Sequence, residues 1–186
     1  SGETADTLAA LRKVNSKKLL TLGIVNVVGS SIARETKAGI YNRAGAEIGV
    51  ASTKAYLSQL TVLALAALYL SKNKSSQLYK DLVVELNKIP DKIKLVLKQA
   101  PAIKKLAEKY QKYNNFLYLG RGYNYPTALE GALKIKELSY VHAEGYAGGE
   151  MKHGPLAMID EGFPTVAVCT KNSLYEKMFS NLEEIR

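Results

Sequence analysis

Three short, nearly continuous apolar runs most constrain what this chain can fold into. They are LLTLGIVNV from Leu19 to Val27, FLYLG from Phe116 to Gly120 and TVAVCT from Thr165 to Thr170. Runs of this length that are rich in β-branched residues and lack alternation fit strands covered on both faces, as in a parallel sheet. Each one ends in a glycine or polar turn that leads toward a helical pattern: VGSS into IARET, RGYNYP into TALEGALKIKE, KNS into LYEKMF. Residues 39–42 supply a further short strand. The order strand, loop, helix, strand therefore occurs once in the first 53 residues and again after residue 115, which predicts an α/β fold of doubly wound type. Such folds bind ligands outside the carboxyl ends of their strands, where SGET and the region from GRGYNYP to KHGP are expected to lie.

The segments between these runs read as helices. ADTLAALRKV begins helical periodicity after SGET, and residues 53–70 form a long apolar helix expected to be buried, with a Ser/Thr cap supplied by AST. NKSS, residues 73–76, is the most linker-like stretch. Residues 77–112 carry two or three amphipathic helices, expected to break at Ile89-Pro90 and near Pro101. Their apolar stripes look structural. The chain opens on SGETADT without an initiator methionine and its last segment lacks a glycine or asparagine cap, so residues are expected on both sides of it.

The stretch TALEGALKIKELSYVHAEGY, Thr127 to Tyr146, is the most informative for chemistry. Pro126 suits a first helical position, and on a helix Glu130, Lys134 and Glu137 share one face at i, i+4 and i+7. Leu129, Ala132, Leu133, Leu138 and Tyr140 form the side expected to pack on a sheet. The charged row is then either a solvated salt-bridged stripe or the wall of a pocket. SGET likewise has two readings, an ordinary hydroxyl cap or a phosphate site made of backbone N–H groups and hydroxyls at a helix N-terminus. The glycines of RAGAEIGVAST, residues 43–53, imply close backbone approach to a ligand or to neighbouring structure. Of the two histidines, His153 in the glycine-bracketed loop GGEMKHGP is the better candidate for chemistry; His142 follows SYV on the helix and is expected to pack or cap.

Composition excludes several classes of function. A hydrophobic content of 47% with 23% charged residues describes a globular domain. The net charge of +9 comes largely from lysines between Lys72 and Lys112 at helical surface spacing, without arginines, so nucleic acid is not the expected partner. Cys169 has no partner for a disulfide, which fits a reducing cytoplasm. The longest apolar run, Thr61 to Leu70, is too short to span a bilayer, and no signal peptide is visible. Nothing calls for a metal or a cofactor.

Taken together, SGETADT, AGAEIGVASTKAY, ALEGALKIKE and GEMKHGPLA resemble, in order and spacing, the isomerase part of the glutamine:fructose-6-phosphate aminotransferase (glucosamine-6-phosphate synthase) family, over nearly the whole chain. The resemblance implies two doubly wound parallel-sheet sugar isomerase (SIS) subdomains, both incomplete here: residues 1–72 as the later part of the first, 73–112 as connecting helices and 113–186 as the earlier part of the second. It implies that Ser1 and Thr4 hold a sugar phosphate, fructose 6-phosphate or glucosamine 6-phosphate, and that Val50 adds a backbone contact. Glu137 corresponds to the family's base between C1 and C2, Lys134 and Glu130 to its charged neighbours, and His153 to the histidine associated with ring opening. A homodimer, with that histidine supplied across its interface, a Schiff-base lysine beyond Arg186 and a glutamine-hydrolysing domain before Ser1 are implied as well. A related deaminase or deglycase, and a non-catalytic sugar-phosphate-binding module, use the same fold.

Overall fold

The computed structural model describes residues 2–186, which divide into two compact units, 1–95 and 96–186. In the first, α1 (Ala5–Ser16) precedes β1 (Leu22–Val25), α2 (Ser31–Glu35), β2 (Ala38–Tyr41) and α3 (Lys54–Leu70). The strands β1 and β2 pair in parallel, Leu22 opposite Ala38 through Val25 opposite Tyr41. Leu11 of α1, Val25 of β1 and Ile32 of α2 form the small core, with Leu8 and Ala33 packed on it.

The expected burial of the long apolar helix is not found. Only Ala55 of α3 is buried, while Leu57, Leu60, Leu63, Leu65 and Tyr69 are exposed. A helix that is apolar all round needs cover on every side, and a sheet of two four-residue strands offers too little. The expected break at Pro90 is also absent. Helix α4 (Gln77–Leu97) runs through it and across the boundary between the units. Proline removes the N–H that would bond the Leu86 carbonyl, a loss tolerated at this exposed position because water can take the donor's place. Glu85 ties the helix across the proline through Lys88 and Lys92.

The second unit holds α5 (Ala100–Tyr110), β3 (Asn115–Gly120), α6 (Asn124–Ser139), β4 (His142–Ala147), β5 (Thr165–Val168) and α7 (Tyr175–Ile185), with Pro101 at the start of α5. Its sheet is parallel with β3 central, in the order β4-β3-β5. Alternate β3 residues serve opposite faces. Leu117 and Leu119, fully buried, pack with Met151 and with Met178 of α7. Tyr118 points the other way, where a Cβ on Gly131 of α6 would lie 2.7 Å from its ring. Helices α6 and α7 thus cover opposite faces of the sheet.

Where the sequence predicts the end of the preceding helix, His142–Ala147 instead forms strand β4. That helix stops at Ser139, where Tyr140 takes a left-handed conformation (φ 59°) and donates its N–H to the Lys136 carbonyl at 3.2 Å. The sequence HAEGYA has no β-branched residue, so parallel pairing with β3 rather than propensity holds it extended. At the other end, α6 begins at Asn124, which makes Pro126 the third helical residue rather than the first. The missing N–H is harmless there too, because first-turn N–H groups have no partner within the helix. The buried side of α6 is narrower than expected: Ala128 and Ala132 are buried, while Leu129, Leu133, Leu138 and Tyr140 are exposed.

The connection from β4 back across β3 to β5 contains no α-helix. Residues 148–164 make the crossover with a single 3₁₀ turn, Pro155–Met158, and Met151, Leu156, Ile159 and Phe163 fill the core beside Leu117 and Leu119. This loop, which carries His153, therefore occupies the place of a crossover helix and is anchored by its own apolar residues.

Candidate functional site

The row on α6 is assembled as its spacing predicts. Lys134 Nζ donates to Glu137 Oε2 at 2.5 Å and lies 3.2 Å from Glu130 Oε1. The three side chains are 21%, 31% and 23% exposed in that order, well short of a fully solvated stripe. Burial works to lower the basicity of the Lys134 amine, but the hydrogen bonds to Glu137 and Glu130 outweigh it and raise its pKa above the ordinary lysine value. The ammonium is thus a fixed charge at neutral pH, between two carboxylates that it separates and orients.

His153 lies in the loop that follows β4, its backbone N–H bonded to the Glu150 carbonyl at 3.0 Å and its side chain exposed. No hydrogen bond or ion pair joins it to the α6 row among the described residues. The neighbours on either side are tied down: Met151 is fully buried, Lys152 pairs with Glu184 of α7 at 2.9 Å, and Pro155 is buried. His142 is not on a helix. It opens β4 with an exposed side chain, 3.7 Å from Glu144, and neither packs in the core nor caps a helix. Glu144 accepts a 2.7 Å hydrogen bond from the Tyr146 hydroxyl, which raises that phenol's pKa.

In the first unit, Ser1 lies outside the described residues. Thr4 occupies the N-cap position of α1 but makes no side-chain capping bond; its hydroxyl is exposed. The ordinary cap reading of SGET therefore fails for Thr4. Gly2 is required by geometry: its φ is 110°, and a Cβ would lie 2.2 Å from Ser30 Oγ. Glu3 folds back on α2, accepting the Ser31 N–H at 2.8 Å, and hydrogen bonding from Ser31 lowers its pKa.

Val50 stands 92% exposed in the loop before α3. The expected Ser/Thr cap of that helix is replaced by a residue given no role from sequence. Glu47 Oε1 accepts the backbone N–H groups of Ala55 and Thr53, each at 2.8 Å, and Oε2 accepts the Thr53 hydroxyl at 3.2 Å. Those bonds, from Ala55 first and then Thr53, hold the Glu47 carboxyl below its usual range. A carboxylate reaching back to a helix N-terminus satisfies donors that the first turn cannot. The signal was the lone acid among the small residues ahead of the helix.

Arg121, directly after β3, is the second residue whose position sequence reasoning missed. Its Nε donates to Asn181 Oδ1 of α7 at 2.8 Å. A cavity of about 770 Å³ in the second unit lies elsewhere, lined by Ile103, Leu106, Phe116, Tyr118 and Val166 among others. It offers no carboxylate, imidazole or amine and does not account for the α6 row. Among the described residues, no group of three or more His, Cys, Asp or Glu could hold a metal ion, and no helix is long and apolar enough to cross a membrane.

The sequence pattern of the SIS domain matches residues 1–69 and 109–180. Across its full length the chain is 54% identical to a glutamine–fructose-6-phosphate aminotransferase (isomerizing) of Chlorobaculum tepidum and 53% identical to that of Bacteroides thetaiotaomicron, covering 31% of each. It spans, then, about a third of the length of these curated relatives. The structure superimposes along the whole chain on the C-terminal domain of glucosamine-fructose-6-phosphate aminotransferase from Francisella tularensis, with a TM-score of 0.94 and 44% identity, covering 53% of that chain. With the parallel α/β architecture and a sequence match over most of its length, the chain belongs to the SIS domain family.

Proposed function

We propose that this chain is the isomerase part of a glutamine:fructose-6-phosphate aminotransferase, which forms glucosamine 6-phosphate from fructose 6-phosphate and glutamine-derived ammonia. The observation that carries the reading is the identity, over the entire chain, to relatives bearing that name. Residues 1–72 and 113–186 are then parts of two SIS subdomains joined by 73–112. The full protein adds a glutaminase domain and acts as a cytoplasmic homodimer.

Each site residue has a chemical role on this reading. Moving a double bond along the sugar requires one proton to leave C1 and one to arrive at C2, and a single carboxylate that reaches both carbons can do both. Glu137 takes the proton from C1 of the 2-imino ketose; the C–H electron pair forms a C1–C2 double bond as the C2=N π pair moves onto nitrogen, which takes up a proton. The same carboxyl then returns the proton to C2 while O1–H loses its proton and C1–O1 becomes the carbonyl. Lys134, held as an ammonium, keeps Glu137 in position and balances charge as the carboxyl alternately gains and loses its proton. Glu130 fixes Lys134 from its other side. His153 exchanges protons with the ring and ring-opening oxygens, a task suited to imidazole at neutral pH. Ser1 and Thr4 hold the phosphate, Thr4 with a hydroxyl not consumed by capping, and Val50 offers a backbone contact.

The test is Glu137→Gln in the full-length protein. Synthase kcat is expected to fall by about 10²- to 10⁴-fold, the range for loss of a general base, with fructose 6-phosphate affinity kept within about twofold. Turnover equal to the parent's would overturn the assignment of the base.

A further inference from the structure

We propose that Arg121 is a positioning residue for His153, acting through the loop that joins β4 to β5; the inference rests on the role given to His153 above. Arg121 stands at the carboxyl end of β3, and three elements meet on it. Its Nε is fastened to Asn181 of α7, an amide only 6% exposed whose oxygen has this guanidinium as its donor. Its side chain runs along the first residues of the loop. A Cβ on Gly148 would lie 3.2 Å from Arg121 Cγ and Nε, and one on Gly149 would lie 3.5 Å from Nη1 and 3.8 Å from Nη2. The backbone fixes the same junction, since Gly148 donates its N–H to the Gly120 carbonyl at 2.9 Å. The guanidinium is therefore laid over the start of the loop, with β3 below it and α7 beside it.

From that point to His153 the chain has little freedom. Glu150 donates its N–H to the Ala147 carbonyl at 2.8 Å, Met151 is sealed in the core with Met178 of α7, and Lys152 is paired with Glu184 of the same helix. His153 then closes a turn onto the Glu150 carbonyl. Loops without a helix of their own are held by such ties, and a shift of about 1 Å in a catalytic group costs on the order of 10²-fold in rate. Arg121 is the one side chain among these ties that links the strand, the helix and the glycine turn. Its removal lets the turn and its histidine move while leaving the buried Met151 anchor in place.

The experiment compares Arg121→Gln, His153→Gln and the double variant in the full-length protein, with Asn181→Ala as a second route to the same loosening. Arg121→Gln is expected to lower kcat with fructose 6-phosphate by about tenfold while KM stays within about twofold, and Asn181→Ala to act in the same direction. In the His153→Gln background, Arg121→Gln is expected to add less than about twofold, because residues acting through one group are not additive. A purely structural role for Arg121 would lower activity equally in both backgrounds, and that result overturns the proposal. So does wild-type kcat in Arg121→Gln and Asn181→Ala when His153→Gln is impaired. Wild-type kcat in His153→Gln instead sinks the reading of His153 itself, which separates the two failures.

Discussion

Carboxylates at the surface of this molecule are set by what donates to them, and Glu85 is the most strongly shifted. Hydrogen bonds from Lys88, at 2.8 Å, and from Lys92 bring its pKa from an ordinary 4.5 down to about 2. The sign follows from linkage. A carboxyl whose pKa is depressed in the folded state stabilises that state above its ordinary pKa, and the contribution is lost as pH falls from about 4.5 toward 2. The side chain is about half exposed, at 47%, so salt screens the effect and its share of global stability is small. A carbon-13 NMR titration at low salt should place the Glu85 midpoint near 2, and the Lys88→Ala, Lys92→Ala double variant should return it toward 4.5. A midpoint near 4.5 in the parent would contradict the arrangement. At the same scale, the charged row of α6 was legible from spacing alone, because i, i+4 and i+7 fix which side chains meet on any helix. Glu47 and Arg121 were not, because their partners Ala55 and Asn181 are chosen by how loops and helices come together.

Glycines set how closely some elements of the second unit approach one another. Gly120 has the Asn124 carbonyl where its Cβ would be, at 2.2 Å, which lets β3 turn at once into α6. Gly131 lets α6 settle on β3, with the Tyr118 ring 2.7 Å from its missing Cβ. Gly131→Val is therefore expected to lift the helix off the strand and lower stability by about 1–3 kcal/mol, the usual cost of overpacking, despite valine's better helix propensity. Urea unfolding, with the m-value checked for constancy, measures this, and an unchanged midpoint would show that the contact is loose. The three apolar runs were readable as strands because runs without alternation mark parallel pairing, yet cover on both faces is not found for the first, where Leu19, Leu20 and Leu22 are exposed. Strand β4 left no such mark. HAEGYA is small, polar and glycine-bearing, and its extended form depends on pairing with β3, a tertiary cause outside any local window. Pro90 misled in the opposite direction, since a strong local breaker was accommodated at an exposed turn of α4.

At the scale of the whole chain, the doubly wound class was visible in the alternation of strands and helices, whereas burial was not. Apolar content predicted a covered α3, yet most of its leucines stand exposed, because how far a helix is covered depends on the layers around it rather than on its own composition. Net charge is the other whole-chain quantity, and its meaning depends on where the lysines are used. Between Lys72 and Lys112 there are eleven lysines, four acids and no arginine. Lys88 and Lys92 are engaged by Glu85 and Lys94 by Asp91, while Lys74, Lys109 and Lys112 lie over the rings of Tyr69, Tyr110 and Tyr113. Six of these lysines are engaged by neighbours close in sequence, which leaves fewer charges poised for phosphates, and the planar guanidinium forks that grip them are missing from this stretch. Binding to a short DNA duplex should then be weak and wholly electrostatic, so that raising salt from 50 to about 200 mM abolishes it irrespective of sequence. Fluorescence anisotropy across that range checks the point, and saturable binding that survives the higher salt would restore nucleic acid as a partner.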